Sequence, residues 1–179
     1  GLALCLEIAG ALRDDLMLLV MSATLDAAPV AQLMGDVPVI TSQGRSFAVD
    51  TRWLDRPIAK TTRFEQAIAD LTTQAVSETK GGVLVFLPGE GEIRRVETLL
   101  KSRLPADCHL RPLFGAMEFS AQRAAIGPCP SGRKVVLATS IAETSLTIQD
   151  IRVVVDGGKS RRARFDPSSG MSRLVTEKV

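Results

Sequence analysis

The sequence predicts an α/β fold built on a parallel sheet with helices on both faces. Three observations carry this. Short apolar runs without polar alternation, "LMLLVM", "VLVFL", "KVVLA" and "IRVVV", read as strands buried on two sides. Segments with helical spacing alternate with them, as in βαβ units. The 179 residues are 45% hydrophobic and 23% charged, which is enough apolar material for a globular core.

The elements follow in order. "LALCLEIAGAL" places Leu2, Leu6, Ala9 and Leu12 near helical spacing. "LMLLVMSAT" is an apolar strand ending in hydroxyls, "LDAAPVAQLMG" a helix closed by Gly35, and "VPVI" a brief strand. The polar, Gly-containing "TSQGRSF" marks a boundary, placed between Gly44 and Arg45. Beyond it "AVDTRWL" reads as a strand and "RFEQAIADLTTQAVSET" as a helix closed by Gly81 and Gly82. "VLVFLPG" is a strand, and "GEIRRVETLLKSRL" is a helix stopped by Pro105. "HLRPLFG" is a strand and "SAQRAAIG" a short helix with Ser120 as its cap. "KVVLATS" and "IRVVVDG" are strands. No internal repeat or low-complexity segment interrupts this alternation.

A net charge of +2 gives no global pull toward a polyanion. The local run "KSRRAR", Lys159 to Arg164, is dense in positive charge and reads either as a solvated face or loop or as a nucleic-acid contact. Cys5, Cys108 and Cys129 fit neither a disulfide framework nor a metal knuckle, and are expected to be buried, inert thiols of a reducing cytosol. His109, the single histidine, is expected in a strand or loop and not as a ligand. No apolar run is long enough to cross a membrane. The N-terminal segment lacks a basic region before its apolar part and contains Glu7, so it does not read as a signal peptide.

Four predicted strands end in small or polar residues: "SAT", "PGEGE", "GAM" and "TSIAETS". Parallel sheets bind ligands beyond the carboxyl ends of their strands, so these ends predict a binding rim. In "ATSIAETSLTI", Ala138 to Ile148, the hydroxyls are suited both to capping a helix and to holding phosphate oxygens there. "GGKS", Gly157 to Ser160, resembles the tail of a P-loop, but Val153 stands where that motif needs its first glycine. "GEGEIR" puts Arg94 at the third glycine position of a dinucleotide fingerprint, so that motif fails too. No H-E-x-x-H, G-x-S-x-G or C-x-x-C pattern occurs, and no metal ligand is expected in the chain.

"VMSATLD", "VLVFLPGEGEI", "LFGAM…QR" and "KVVLATSIAETSLTIQDIRVVVDGG", in this order, resemble a DEAH-box ATP-dependent RNA helicase of superfamily two. "RARFDPSSGMSRLVTEKV" narrows the resemblance to the bacterial HrpB type, and it covers essentially the whole chain. The resemblance implies RecA-like, P-loop NTPase architecture, a three-layer parallel sheet, in two domains that clamp single-stranded RNA or DNA and bind ATP between them. Residues 1–44 would be the C-terminal remnant of the first domain, and residues 45–179 the second domain without its Q-R-x-G-R-A-G-R motif.

The resemblance also assigns roles. Ser22, Ala23 and Thr24 would couple ATP hydrolysis to unwinding. Gly115, Thr139, Ser140 and Thr144, together with Arg161 and Arg162 of the basic run, would meet nucleic acid, with Glu143 in the same helix start. Ser145, Thr147, Gln149 and Ile126 would face the nucleotide. Relatives commonly have an acid where Gln149 stands and an aromatic where Ile126 stands, so weak base selectivity follows. The phosphate-binding lysine and acidic motif residues would precede residue 1. ATP and Mg2+ are therefore expected in an intact cytoplasmic parent with its remaining domains, neither is bound by this chain's own ligands, and no membrane is involved. A RecA-like nucleic-acid-binding module without hydrolysis is the alternative.

Overall fold

The computed structural model describes residues 1–22, 26–44, 47–142 and 147–179. They fall into two compact units, Gly1–Trp53 and Leu54–Val179. In the first, α1 (Leu2–Ala11) and α2 (Ala27–Leu33) form where helical spacing predicts them. Asp26 caps α2 by accepting a hydrogen bond from the Ala28 amide at 3.3 Å. Gly35 follows the helix in the left-handed region at φ 89°, the conformation a glycine takes up most easily. Neither helix buries a residue.

The strands expected at "LMLLVM", "VPVI" and "AVDTRWL" are absent: residues 16–21, 37–40 and 48–54 carry no ladder. A strand exists only as a paired object, and among the described residues of this unit there is no second strand to bond.

In the second unit, α3 (Phe64–Glu78), β1 (Gly82–Phe86), α4 (Glu90–Leu100), β2 (Cys108–Leu113), α5 (Phe119–Ile126), β3 (Arg133–Ala138) and β4 (Ile151–Asp156) alternate as predicted. The sheet is parallel, in the order β2-β3-β1-β4, with Val83 opposite both Val135 and Val153. The continuous apolar runs are the two central strands, buried on both faces. On one face Val83, Val85, Val135, Leu137 and Val155 pack beneath α3 and α4, which contribute Ile68, Val76, Ile93, Val96 and Leu100. On the other, Leu84, Leu113, Val136 and Ala138 meet Ala125 of α5 and Ala142 of a short 3-10 turn, Ser140–Ala142.

Several local expectations are corrected. Ser120 does not cap α5; the helix starts at Phe119 after Glu118, without a side-chain cap. α3 ends at Thr79 in extended backbone, not at a glycine, and Thr79 Oγ1 accepts the Gly81 amide. The basic run is not a loop. It is β5 (Lys159–Asp166), paired antiparallel with β6 (Met171–Lys178). The three thiols are half-buried rather than fully buried and are unpaired, and partial burial pushes the Cys108 thiol up. His109 sits in β2 opposite Lys134.

The helix C-termini are closed by side chains from β3. Arg133 Nη1 donates to Val76 O at 2.8 Å and to Thr79 O, at the end of α3. Lys134, only 1% exposed, donates to Ala125 O, Ile126 O and Gly127 O at 3.2, 3.1 and 2.5 Å, at the end of α5. Replacing Arg133 by Met keeps the apolar stem and removes the donors. We expect this to cost about 2 kcal/mol, from the orphaned carbonyls of α3. Urea unfolding of both proteins checks it; an unchanged midpoint would mean that water serves those carbonyls equally well.

Candidate nucleic-acid and nucleotide edges

The carboxyl ends of the four strands form one rim of the sheet. Three of the four ends named from sequence meet there, after β1, β2 and β3; "SAT" belongs to the first unit, where no strand precedes it. β4 supplies the remaining end, at Asp156 and Gly157. The rim is laced by backbone bonds that continue the ladder: Thr139 N to Leu113 O at 3.1 Å, Leu87 N to Ala138 O at 2.8 Å and Gly157 N to Phe86 O at 3.2 Å.

Thr139 is half-buried and Ser140 exposed. The 3-10 turn closes on Thr139 through Ala142 N to Thr139 O at 3.1 Å. Gly115 is exposed two residues beyond Leu113, and a Cβ there would meet nothing nearer than Ile141 Cδ1 at 3.9 Å. The protein's own packing does not demand a glycine at 115, so its absence of side chain leaves open backbone beside Thr139. An open cleft flanks this turn, lined by Glu90, Arg94, Phe114, Met117, Glu118 and Ala121. Arg94 lies 5.3 Å from the centre of the Phe114 ring.

The β5–β6 ribbon leaves the rim through Gly157 and Gly158. A Cβ on Gly157 would sit 2.6 Å from Phe86 O and 3.1 Å from Phe64 Cζ, so only glycine fits. Gly158 turns at φ 63° and donates its amide to Asp156 Oδ1 at 2.7 Å. The "GG" that resembled a P-loop tail is this tight turn. Lys159 places its ammonium 4.3 Å from the centre of the Phe64 ring.

The two arginines expected at nucleic acid are placed differently. Arg161 folds back toward the start of α4, 3.4 Å from Glu92 Oε1 and 3.3 Å from Thr176 Oγ1. Glu92 also receives Arg95 at 2.8 Å, and Arg95 bonds Glu65 at 2.7 Å. The backbone amide and the Arg95 guanidinium hold the Glu65 carboxyl below the usual range. Arg162 is exposed and has no ion pair among the described residues.

The nucleotide candidates are at the other end of the sheet. Ile126 closes α5 and packs partly into the second core layer. Gln149 is exposed, and its amide donates to Ile126 O at 3.2 Å. Asp150 follows at φ 64°, and its carbonyl accepts the amide of Gly82, the first residue of β1. Ile126 and Gln149 therefore meet at the amino ends of the strands, not at the rim that holds Thr139. Thr147 is exposed on the connection between the two ends. Ser22 is exposed in the first unit. Ala23, Thr24, Glu143, Thr144 and Ser145 lie outside the described residues. Among the described residues no three His, Cys, Asp or Glu groups converge as a metal site, so no step through Mg2+ is assigned to them.

Sequence reasoning passed over Gly89, Glu92, Arg133 and Lys134. For the last two the one trace in sequence is a pair of cations opening an apolar strand, which by itself reads as solvated charge.

A parallel sheet flanked by helices, with ligand candidates at its strand ends, is a doubly wound α/β domain, and the match to helicases makes it RecA-like. Residues 64–173 match the helicase conserved C-terminal domain, and the chain belongs to that family. Over its whole length it is 51% identical to the ATP-dependent RNA helicase HrpB of Escherichia coli, covering 22% of that protein. It is 39% identical to the pre-mRNA-splicing factor ATP-dependent RNA helicase DEAH10 of Arabidopsis thaliana, over 90% of this chain and 23% of that one. The crystal structure of E. coli DEAH/RHA helicase HrpB superposes with a TM-score of 0.89, covering 99% of this chain and 23% of that chain. The DEAH-box, HrpB-type resemblance holds, and the chain spans less than a quarter of the curated relatives it matches.

Gly89 tests the ribbon anchor. A Cβ at 89 would lie 2.5 Å from Arg161 Nη1. Gly89 is in extended backbone, so Gly89→Ala brings no strain there; it displaces the guanidinium and crowds its partner Glu92, whose Oε2 would lie 3.1 Å from the new Cβ. We expect a stability loss under about 1 kcal/mol with faster amide exchange along β5. Unaltered exchange would mean that Arg161 does not hold the ribbon.

Proposed function

We propose that this chain works within an ATP-dependent RNA helicase, residues 1–44 closing its first RecA-like domain and residues 45–179 forming most of its second. The carboxyl-end rim meets the backbone of single-stranded RNA or DNA through Gly115, Thr139, Ser140 and Thr144, with Arg162 reaching phosphate from the ribbon. Ile126, Ser145, Thr147 and Gln149 serve the nucleotide, and Ser22, Ala23 and Thr24 couple hydrolysis to unwinding. ATP and Mg2+ act with the remaining domains of a longer, cytoplasmic protein. Among the described residues no helix is long and apolar enough to cross a membrane.

The observation that supports this reading best is the juxtaposition of Thr139 and open Gly115. The Thr139 amide is spent on Leu113 O, while among the described residues its hydroxyl has no partner. A hydroxyl poised beside bare backbone suits a phosphate oxygen, which fixes register without reading bases. Thr139→Ala in the helicase should weaken single-stranded RNA binding by about tenfold, equally for every base sequence, with the melting temperature unchanged. Normal binding with a lower melting temperature would assign Thr139 to capping instead.

The sequence holds no G-x-x-x-x-G-K-[ST] cradle, which P-loop NTPases use with a metal for phosphoryl transfer. Residues 1–179 alone should therefore release no phosphate from ATP above buffer, even with saturating RNA. Turnover of about 1 per second would show a hydrolytic site within this chain.

A further inference from the structure

We propose that Lys134 is the positioning residue of the nucleotide edge: its buried ammonium holds the carboxyl end of α5, and through it Ile126 and Gln149, in the geometry that receives a base and its sugar. This rests on the reading that Ile126 and Gln149 face the nucleotide, and it adds the group that fixes them.

The geometry is a short chain of bonds. Lys134 Nζ has three acceptors, Ala125 O, Ile126 O and Gly127 O. Ile126 O has a second donor, the Gln149 amide at 3.2 Å. One carbonyl thus joins the end of α5 to the loop that returns to β4. Gln149 itself is exposed, and its neighbour Asp150 is held by the bond from Gly82 N to Asp150 O. With its three acceptors in place, the ammonium has no proton left for a ligand.

This chemistry selects the part of a nucleotide that fits. The last carbonyls of a helix carry partial negative charge, which disfavours phosphate and favours neutral hydrogen-bonding groups. Ile126 offers an apolar surface and Gln149 an amide that both donates and accepts. The edge suits a nucleoside rather than a polyphosphate. Burial holds the Lys134 ammonium below the usual lysine range, in keeping with a cation kept for protein acceptors and shielded from solvent.

The test uses the 179-residue chain, whose edge alone is half of a site between domains and holds a nucleoside weakly, with backbone amide chemical shifts followed while adenosine at millimolar concentration or, separately, inorganic tripolyphosphate is added. Adenosine should move the amides of Gly127, Gln149 and Asp150, and tripolyphosphate should not. Lys134→Met should weaken the adenosine response by about tenfold while the shifts of α3 and β1 stay in place, and Lys134→Arg should restore part of it. If Lys134→Met does not fold, Lys134→Gln, which puts a neutral amide in place of the ammonium's three donors, should give a smaller loss in the same direction, read at Gly127 and Asp150. An undiminished adenosine response in these variants overturns the positioning role and leaves the nucleotide reading standing. No adenosine response in the unaltered chain, or a response to tripolyphosphate at these amides, overturns the nucleotide reading and this proposal together.

Discussion

Two neighbouring cations at the start of β3 tie the carboxyl ends of α3 and α5 to the central sheet. Side chains alternate across a strand, so Arg133 and Lys134 point to opposite faces of the sheet. Arg133 reaches the end of α3 on one face, and Lys134 the end of α5 on the other. A helix leaves its last carbonyls without intrahelical donors, and they carry the negative end of its dipole. One dipeptide therefore satisfies both helix layers and fixes each relative to the central strand. Burying Lys134 has its own cost. Its folded pKa is lowered, so the charged form opposes folding at neutral pH, and that opposition is relieved only as pH rises past the folded value. Three carbonyl acceptors on one ammonium offset it.

This arrangement decides where the chemistry can go. Arg133 and Lys134 occupy the amino end of β3, while at its carboxyl end the Thr139 amide bonds Leu113 O, its carbonyl accepts from Ala142 N, and its hydroxyl has no partner among the described residues. The anchored end is rigid and carries the helix-terminal carbonyls, suited to neutral partners. The rim has small side chains, open backbone at Gly115 and an exposed hydroxyl at Ser140, suited to a phosphate backbone. The two candidate edges differ because the two ends of a parallel sheet with helical crossovers differ: helices begin at one end and finish at the other.

Much of this was legible in the sequence. The central strands announced themselves as unbroken apolar runs, and "LFG" and "ATS" correctly marked two neighbouring strand ends. What escaped has physical causes. "LMLLVM" has strand composition, but pairing depends on a partner that composition cannot supply. The β5–β6 ribbon is solvated on both faces, with Phe165 and Leu174 exposed, so it carries no period-2 pattern to find. Arg133 and Lys134 look like solvated charge because sequence does not reveal the helix ends waiting for them. Sequence order likewise cannot say which end of a sheet a loop residue reaches, so nothing in it separates Gln149 from the end that holds Thr139.

The separation of the edges bears on how they influence each other. Thr139 follows Lys134 by five positions along one extended strand, a span of roughly 16 Å at about 3.3 Å per residue. A strand buried on both faces and paired on both edges transmits displacement as a rigid body and has no second state to adopt. The other connection is covalent, and among its described residues Ile141, Ala142 and Ile148 pack against the second core layer. Coupling between distant sites needs an element with two arrangements that both ligands bias. β3 cannot be that element, because every rung it makes is already committed. The crossover is tied down at Thr139 O by Ala142 and at Ile126 O by Gln149.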